Sequence, residues 1–596
     1  MKKKMSSKKF NAIWSAVIAV LVVLALVVTF VTDYFKASLD NYLGKGNLVI
    51  DAIPGSENWD TNFYNQMFTN ITDAREKNSA AVALKIAEEG ITLLKNNDVL
   101  PLAKGAAVTP YGLRYVDPIF GGVGTGNVDV SMDYVDTAVE VMIEYFTIDP
   151  TVQSKLENGT HYYLPAPTTP GAAEDWTSEK PTTSSSTMFE YHSWLDEFDP
   201  AEVYDDAFLS ASQGTVGIVF LGRVGGESND VYYGQNGAYA DGSLHELQLS
   251  GRERETIRIA KANSDKVVVV LESSNVMEIG ELAAAEGDLA VDAIVWMGGA
   301  GAKGFRGLAE VLTGEVNPSG HLPDTWMASI FDDPVTTNFG ETLYNNLDYA
   351  GLTQALVEYD EGIYVGYRYY ETVNDLNGTF KVNGQTLGYG ELDENGNLVT
   401  PGAVTYPFGY GLSYGATFDQ EIASINNSNG VVTMTVKVTN TGTQPGKAVV
   451  QVYYSAPYTD LDVQNGIEKA TVNLLAYDKT DDIAAGASTE VTFTFNTEDM
   501  VSYCYTHDNG NGTVGCYMLE AGDYTISVRA NSHTVLDSAT VTVNETIWFD
   551  GSDDNHIRQS EKDAQDTAGG GTKAESYIAA TNQFQESNDY MAANPD

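Results

Sequence analysis

Three short runs, TVGIVFLG (215–222), KVVVVLES (266–273) and VDAIVWMGG (291–299), are apolar almost without interruption and are bounded by polar or glycine residues. A strand with one face in water alternates apolar and polar residues, so runs of this kind read as strands buried on both faces. Helical patterns such as SGRERETIRIAKAN (250–263) and GLAEVLTG (307–314) alternate with them. That alternation predicts a mainly parallel sheet with helices on both sides, an α/β domain over residues 76–345. The domain opens with KNSAAVALKIAEEG (77–90), read as a helix capped by Asn78 or Ser79 and stopped by a left-handed Gly90, with Val82, Leu84 and Ile86 toward its packing partners. ITLLKN follows as a strand.

Beyond Phe418 the period changes. GVVTMTVKVTNTG, KAVVQVYYS, STEVTFTFNT and GDYTISVRA alternate apolar and polar residues between Gly, Pro and Asn turns, which predicts a β-sandwich over 416–548. Residues 346–415 then read as a connecting segment. Residues 549–596 turn polar, carry three glycines at Gly569–Gly571 and read as a linker into a further domain.

At the other end, no charged residue occurs from Ala12 to Thr32, a length that suits a helix crossing about 30 Å of hydrocarbon. Lys2, Lys3, Lys4, Lys8 and Lys9 precede it and Asp33 follows, so the positive-inside rule gives a cytoplasmic tail (1–11), a transmembrane helix (12–32), a stalk (33–75) and an extracellular remainder. A cleaved signal peptide is the competing reading. FVTDYFKAS offers it no small-residue cleavage site, and either reading exports the chain.

The balance of 33 basic against 82 acidic residues, a net charge of −49 in 596 residues, repels a phosphate backbone and argues against a nucleic-acid partner. Only two cysteines occur, so neither a disulfide framework nor a cysteine zinc site holds the fold. Cys504 and Cys516 flank HDNGNG, placed either to pair across a hairpin or to remain two thiols. GGVGTG (121–126) lacks the lysine of a phosphate loop and reads as a turn.

Several segments, in order, resemble the C-terminal half of glycoside hydrolase family 3, the beta-glucosidase family: EEGITLLKNNDVLPL, GRVGGESND, GEVNPSGHLPDTW and YPFGYGLSY. VTNTGTQPGKAVVQVYYSAPY and IEKATVNLLAYDKT resemble the fibronectin-III-like domain that often follows. NPSG reads as a turn, with Gly320 free to take positive φ, and Phe408 and Tyr410 of PFGYGLSY as packing between the two domains. The resemblance implies that Glu227, in GRVGGESND directly after the first apolar run, is the general acid/base, with Arg223 and Asp230 ordering its loop. Ser228, Val231 and Thr125 depart from residues common in the family. Retaining cleavage needs a protonated carboxyl and, about 5–5.5 Å away, an ionised one. The family's nucleophile is an Asp, usually before Trp, on a barrel strand. Here the one such pair, Asp175 and Trp176, lies in the polar run PTTPGAAEDWTSEK, and no nucleophile is found.

A permuted, membrane-anchored subset of the family places its barrel last, and this chain follows that order up to the barrel. The expectation is therefore a retaining beta-glucosidase-like portion acting on a beta-linked oligosaccharide or glucoside, with the barrel separately encoded, lost or cut away from this fragment. The alternative is a non-catalytic cell-surface module that binds carbohydrate or a partner. No metal or organic cofactor is expected.

Overall fold

The computed structural model describes residues 7–34 and, within 70–558, all but 71, 73, 123–127, 129, 131–133, 168–174, 182–193, 226–231, 233, 235–236, 339–341, 350–351, 357–358 and 360. The chain divides into two units, Met1–Thr69 and Asn70–Asp596. In the first, one helix, α1 (Ser7–Tyr34), runs through the apolar stretch and takes in Lys8, Lys9 and Asp33 at its ends. Among the described residues no helix is long and apolar enough to cross a membrane, so the span expected over 12–32 is not supported.

In the second unit the α/β domain forms as the apolar runs require. Its sheet has five strands, β1 (Thr92–Asn96), β2 (Val108–Tyr111), β3 (Val216–Arg223), β4 (Lys266–Ser273) and β5 (Ala293–Trp296), in the order β1-β5-β4-β3-β2. β2 to β5 are mutually parallel and β1 closes one edge antiparallel. Seven of the eight residues of β4 are buried, and Val268, Val269, Val270 and Leu271 are fully so, which is why alternation is absent from the sequence there.

The opening helix departs from expectation at both ends. Helix α2 (Ala80–Gly90) continues a π-helical stretch, Ala74–Ser79, so Ser79 already has helical angles and its side chain caps nothing. With the backbone helical before it, neither Ser79 nor Asn78 meets a chain entry that needs a cap. Gly90 is the last helical residue, and the chain leaves through an extended Ile91 rather than a left-handed glycine. Gly320 is likewise not at positive φ. It is glycine because a Cβ there would lie 2.4 Å from the Gly90 carbonyl oxygen and 2.5 Å from that of Ile91.

Residues 346–415 form more than a connection. They carry a helix, α3 (Tyr367–Asp375), two small hairpins, and the strand Val404–Tyr406 paired with Trp326–Met327. Tyr370, Phe380, Val382 and Tyr389 make a separate apolar core there. The PFGYGLSY segment joins the domains. Tyr410 and Tyr414 belong to the α/β core, Phe408 stacks on Tyr367 with ring centres 4.7 Å apart, and Gln451 Nε2 donates to the Gly409 carbonyl at 2.9 Å.

The sandwich consists of β6 (Phe418–Ser428), β7 (Val431–Asn440), β8 (Val449–Ser455), β9 (Asn473–Lys479), β10 (Ser488–Asn496), β11 (Ser502–Asp508), β12 (Val514–Leu519), β13 (Gly522–Arg529), β14 (Val535–Val543) and β15 (Ile547–Phe549). They form antiparallel sheets β6-β7-β10 and β9-β8-β13-β14, and a small third sheet, β11-β12-β15. Val432, Met434, Val436 and Val438 alternate into its core. Cys504 and Cys516 sit directly opposite each other on β11 and β12, both buried and both free thiols.

Candidate active site

The carboxyl ends of β2 to β5 face one edge of the sheet, where an open α/β fold presents its ligand loops. Arg223 is the last residue of β3 and is buried. Its guanidinium grips the Glu253 carboxylate with two bonds, of 2.6 and 2.7 Å, and donates to the Gln248 carbonyl at 2.7 Å and to that of Glu246. The loop that leaves β3 at Val224 and returns through residues 246–248 is thus tied to the strand end at its far side. Glu253 can serve because SGRE forms a capping box at the start of the helix α-Gly251–Asn263: Ser250 Oγ accepts from the Glu253 backbone N–H at 3.2 Å, and the Ser250 N–H donates to Glu253 Oε2 at 2.7 Å. Burial alone would raise the Glu253 pKa, but the guanidinium holds it below the usual carboxylate value.

Further carboxyls line this edge. Glu246 accepts from the Tyr232 backbone N–H, and burial pushes it up to about 7. Glu272, on β4, accepts from the Ile119 backbone N–H at 2.9 Å, and burial pushes it up to about 8. His245 is fully buried. Its Nδ1 accepts from the Leu247 N–H at 3.2 Å, and its Nε2 lies 3.0 Å from Glu278 Oε1. Glu278 also accepts from Gln248 Nε2 at 2.7 Å and from the Ile330 N–H at 2.6 Å, joining the loop's return to the next segment. Neighbouring loops interlock with these: the Ala300 N–H donates to the Ile119 carbonyl at 3.0 Å and Trp296 Nε1 to the Ser273 carbonyl at 2.7 Å.

Of the residues singled out from the sequence, Arg223 is placed as just described, whereas Glu227 and Asp230 lie outside the described residues, as does Thr125. In sequence Glu227 follows the last residue of β3 by four positions. Gly225, at the start of its loop, is described, and a Cβ there would lie 3.0 Å from Ser274 Oγ at the end of the neighbouring strand. Asp175 sits on an exposed loop, and Trp176 packs over the Arg252 guanidinium at 4.4 Å. Sequence reading passed over Glu253, Glu246, His245 and Glu278. Only Glu253 had a local signal, the SGRE box; the others meet through pairings of segments distant in sequence. Among the described residues no group of three or more His, Cys, Asp or Glu side chains could hold a metal ion.

An open parallel sheet with a carboxylate-rich carboxyl edge, joined through an aromatic segment to an antiparallel sandwich, defines a two-domain α/β plus β-sandwich protein. Residues 91–367 match the glycosyl hydrolase family 3 C-terminal domain and residues 448–532 the fibronectin type III-like domain, so the chain carries both. It is 30% identical over 469 residues to Beta-glucosidase A of Butyrivibrio fibrisolvens, covering 74% of this chain and 48% of that protein. It is 29% identical over 467 residues to a beta-glucosidase of Ruminococcus albus, covering 78% and 40% respectively. Its structure is similar to that of beta-glucosidase 3B from Thermotoga neapolitana in complex with glucose, with a TM-score of 0.56 and 25% identity, over 79% of this chain and 55% of that one. The chain thus spans about half the length of the curated relatives it matches.

Proposed function

We propose that the α/β domain of this chain forms the acid/base side of a retaining beta-glucosidase-type active site, with Glu227 as the general acid/base and a family 3 barrel as the source of the nucleophile. The observation that carries this reading is the strand end at Arg223. It is anchored by Glu253 and by the carbonyls of Glu246 and Gln248, and the GGE sequence leaves from it. A general acid must give its proton to the leaving oxygen from a fixed place, and a loop whose start and return are both tied to the buried Arg223 provides one. The substrate class, a beta-linked glucoside or oligosaccharide, comes from the relatives, which are beta-glucosidases.

On this reading the isolated chain hydrolyses an aryl beta-glucoside poorly, because general acid help contributes only about 10²–10⁴-fold without a nucleophile and sugar-orienting residues. Fusing the barrel of a permuted relative after Asn582 should bring turnover. Glu227→Gln in that fusion should remove it for substrates whose leaving group needs a proton, while an activated leaving group rescues the glycosylation step. A fusion indifferent to Glu227→Gln would overturn the acid/base role, and strong turnover by the isolated chain would overturn the need for a second part.

The same reading places the protein at the cell surface, tethered through α1. What supports it is the character of that helix, where Val20, Leu21, Val23 and Leu24 are each about 60% exposed after a run of lysines. Alkaline carbonate extraction of membranes should leave the protein in the pellet. Recovery of a mature form beginning near Ser38 would instead make it secreted.

A further inference from the structure

Cys504 and Cys516 are the only cysteines in 596 residues, and the fold sets them face to face. The pairing of β11 with β12 is regular through Ser502–Met518, Tyr503–Tyr517 and Cys504–Cys516, then loses register before Asp508–Val514. The two cysteines are thus the last regular rung before the end of the hairpin. Beyond that rung the strands are held by a turn in which Gly510, Gly512 and Gly515 all take positive φ. Asn509 Nδ2 donates there to Thr513 Oγ1 and to the Gly515 carbonyl, each at 2.9 Å. A covalent link at the cysteines would hold the strands together at the point where regular backbone pairing stops.

The backbone already meets the requirement for that link. Residues directly opposite in an antiparallel ladder point to the same face, with Cα atoms about 4.5–5.5 Å and Cβ atoms about 4.5–5.5 Å apart. A disulfide needs Cα atoms about 4.4–6.8 Å and Cβ atoms about 3.5–4.5 Å apart, so a closing of about 1 Å at the Cβ atoms suffices. Both side chains are buried, Cys504 in a small core with Ile467 and Met518. A bond formed there is shielded from reducing thiols in solvent.

We propose that Cys504 and Cys516 are a site of oxidative cross-linking, closing into an intrachain disulfide that locks the β11–β12 hairpin when the chain meets a low-molecular-weight disulfide such as oxidised glutathione. One cysteine thiolate attacks the S–S bond of the oxidant, which forms a mixed disulfide and releases one glutathione thiolate. The other attacks the protein sulfur of that mixed disulfide, which forms the Cys504–Cys516 bond and releases the second. Two protein thiols and one oxidised glutathione become one protein disulfide and two reduced glutathiones, which take up the two protons the cysteines lose. Burial first, then Cys504 and Asp550, push the Cys516 thiol up to about 12. Exchange therefore takes place while the hairpin is closing or opening, before the sheet shuts over the sulfurs. The site lies in the sandwich and does not rest on the hydrolase reading.

The full chain, reduced and unfolded in guanidinium and then freed of reductant, is refolded with excess oxidised glutathione or with reduced glutathione alone. A parallel arm keeps the reduced chain folded, in guanidinium below its unfolding transition, and adds the same reagents. After unfolding and treatment with iodoacetamide, mass spectrometry of the oxidised samples should show a monomer two hydrogens lighter, with neither cysteine alkylated and no glutathione attached. The reduced samples should carry two alkylated cysteines. The oxidised form should melt a few degrees higher and exchange the amide protons of β11 and β12 several-fold more slowly. Cys504→Ser under oxidation should leave Cys516 alkylated or joined to glutathione, with no gain in melting temperature. The bond in either arm upholds the site. Alkylated cysteines, glutathione adducts or a disulfide-linked dimer in place of the bond in both arms would overturn it. Equal amide exchange in the two forms, or an equal thermal gain in Cys504→Ser, would overturn the lock.

Discussion

Arg223 and Glu253 meet in a two-pronged ion pair, Nη1 to Oε1 at 2.6 Å and Nη2 to Oε2 at 2.7 Å, with both residues buried. Removing one partner strands the other as an uncompensated buried charge, and Arg223 also satisfies the carbonyls of Glu246 and Gln248. Arg223→Met and Glu253→Gln should each destabilise the protein by about 3–5 kcal/mol in urea unfolding, and the double variant by less than the sum. The Glu253 pKa is lowered in the folded protein. Its contribution is therefore present above the unfolded carboxyl pKa and is lost as pH falls through the lower folded value. A cost below about 1 kcal/mol for Arg223→Met would show that the strand end does not depend on this pair.

Glu272 has the opposite sign. Burial raises it to about 8 from an unfolded 4.5, so the fold favours its protonated form. Stability from this group is whole below the unfolded value and falls as pH rises through the window up to about 8. Oε2 accepts from the Ile119 N–H while Oε1 has no partner among the described residues, an arrangement an amide can copy without ionising. Glu272→Gln should thus be neutral near pH 5 and stabilising near pH 8, read as a flatter curve of melting temperature against pH. An unchanged slope would mean that Glu272 does not carry it; Glu197, likewise raised to about 8 by burial, would be the next to test.

The parallel sheet was legible because three of its strands cross a two-sided core, a burial that appears in the one-dimensional sequence as unbroken apolar runs such as Val267–Leu271. The sandwich was legible through its period of two, seen at Val432, Met434 and Val436. What stayed hidden depends on contacts between distant segments. Gly320 looked like a turn glycine because its crowding comes from the Gly90 and Ile91 carbonyls, 230 residues earlier in the chain. The core of Tyr370, Phe380 and Tyr389 looked like a linker because its elements are too short to show a period. At the candidate site, Arg223 was singled out from its motif. The partners that fix it were not, since the Glu246 carbonyl leaves no mark in sequence.

Cys504 and Cys516 are opposite one another, buried and free. Burial first, and the neighbouring Cys504 second, push the Cys516 thiol up to about 12. Only the thiolate attacks an alkylating reagent. Iodoacetamide at pH 8 should therefore leave Cys516 unmodified in the folded protein and label it on unfolding in guanidinium, followed by mass spectrometry of the peptide. Rapid labelling under native conditions would show that β11 and β12 open locally.

Gly320 gives the sharpest packing test. A Cβ at this position would lie 2.4 Å from the Gly90 carbonyl oxygen, 2.5 Å from the Ile91 carbonyl oxygen and 2.6 Å from Thr92 Oγ1. Two of those atoms are backbone at the junction between α2 and β1, so no side-chain rotation can relieve the contact; the helix end or the NPSG turn has to move. Overpacking of this kind costs about 1–3 kcal/mol, and fixed backbone on two sides puts Gly320→Ala at the upper end or beyond. Gly388→Ala is the matching control. Its φ is not positive and nothing lies within 4 Å of its Cβ position. There the loss of backbone freedom in the unfolded chain should make alanine neutral or stabilising by up to about 1 kcal/mol. Urea unfolding of the two variants side by side should give opposite signs. Equal small effects would mean that the turn at Pro318–Gly320 shifts at no cost and does not fix where the α/β domain meets the segment that leads into the sandwich.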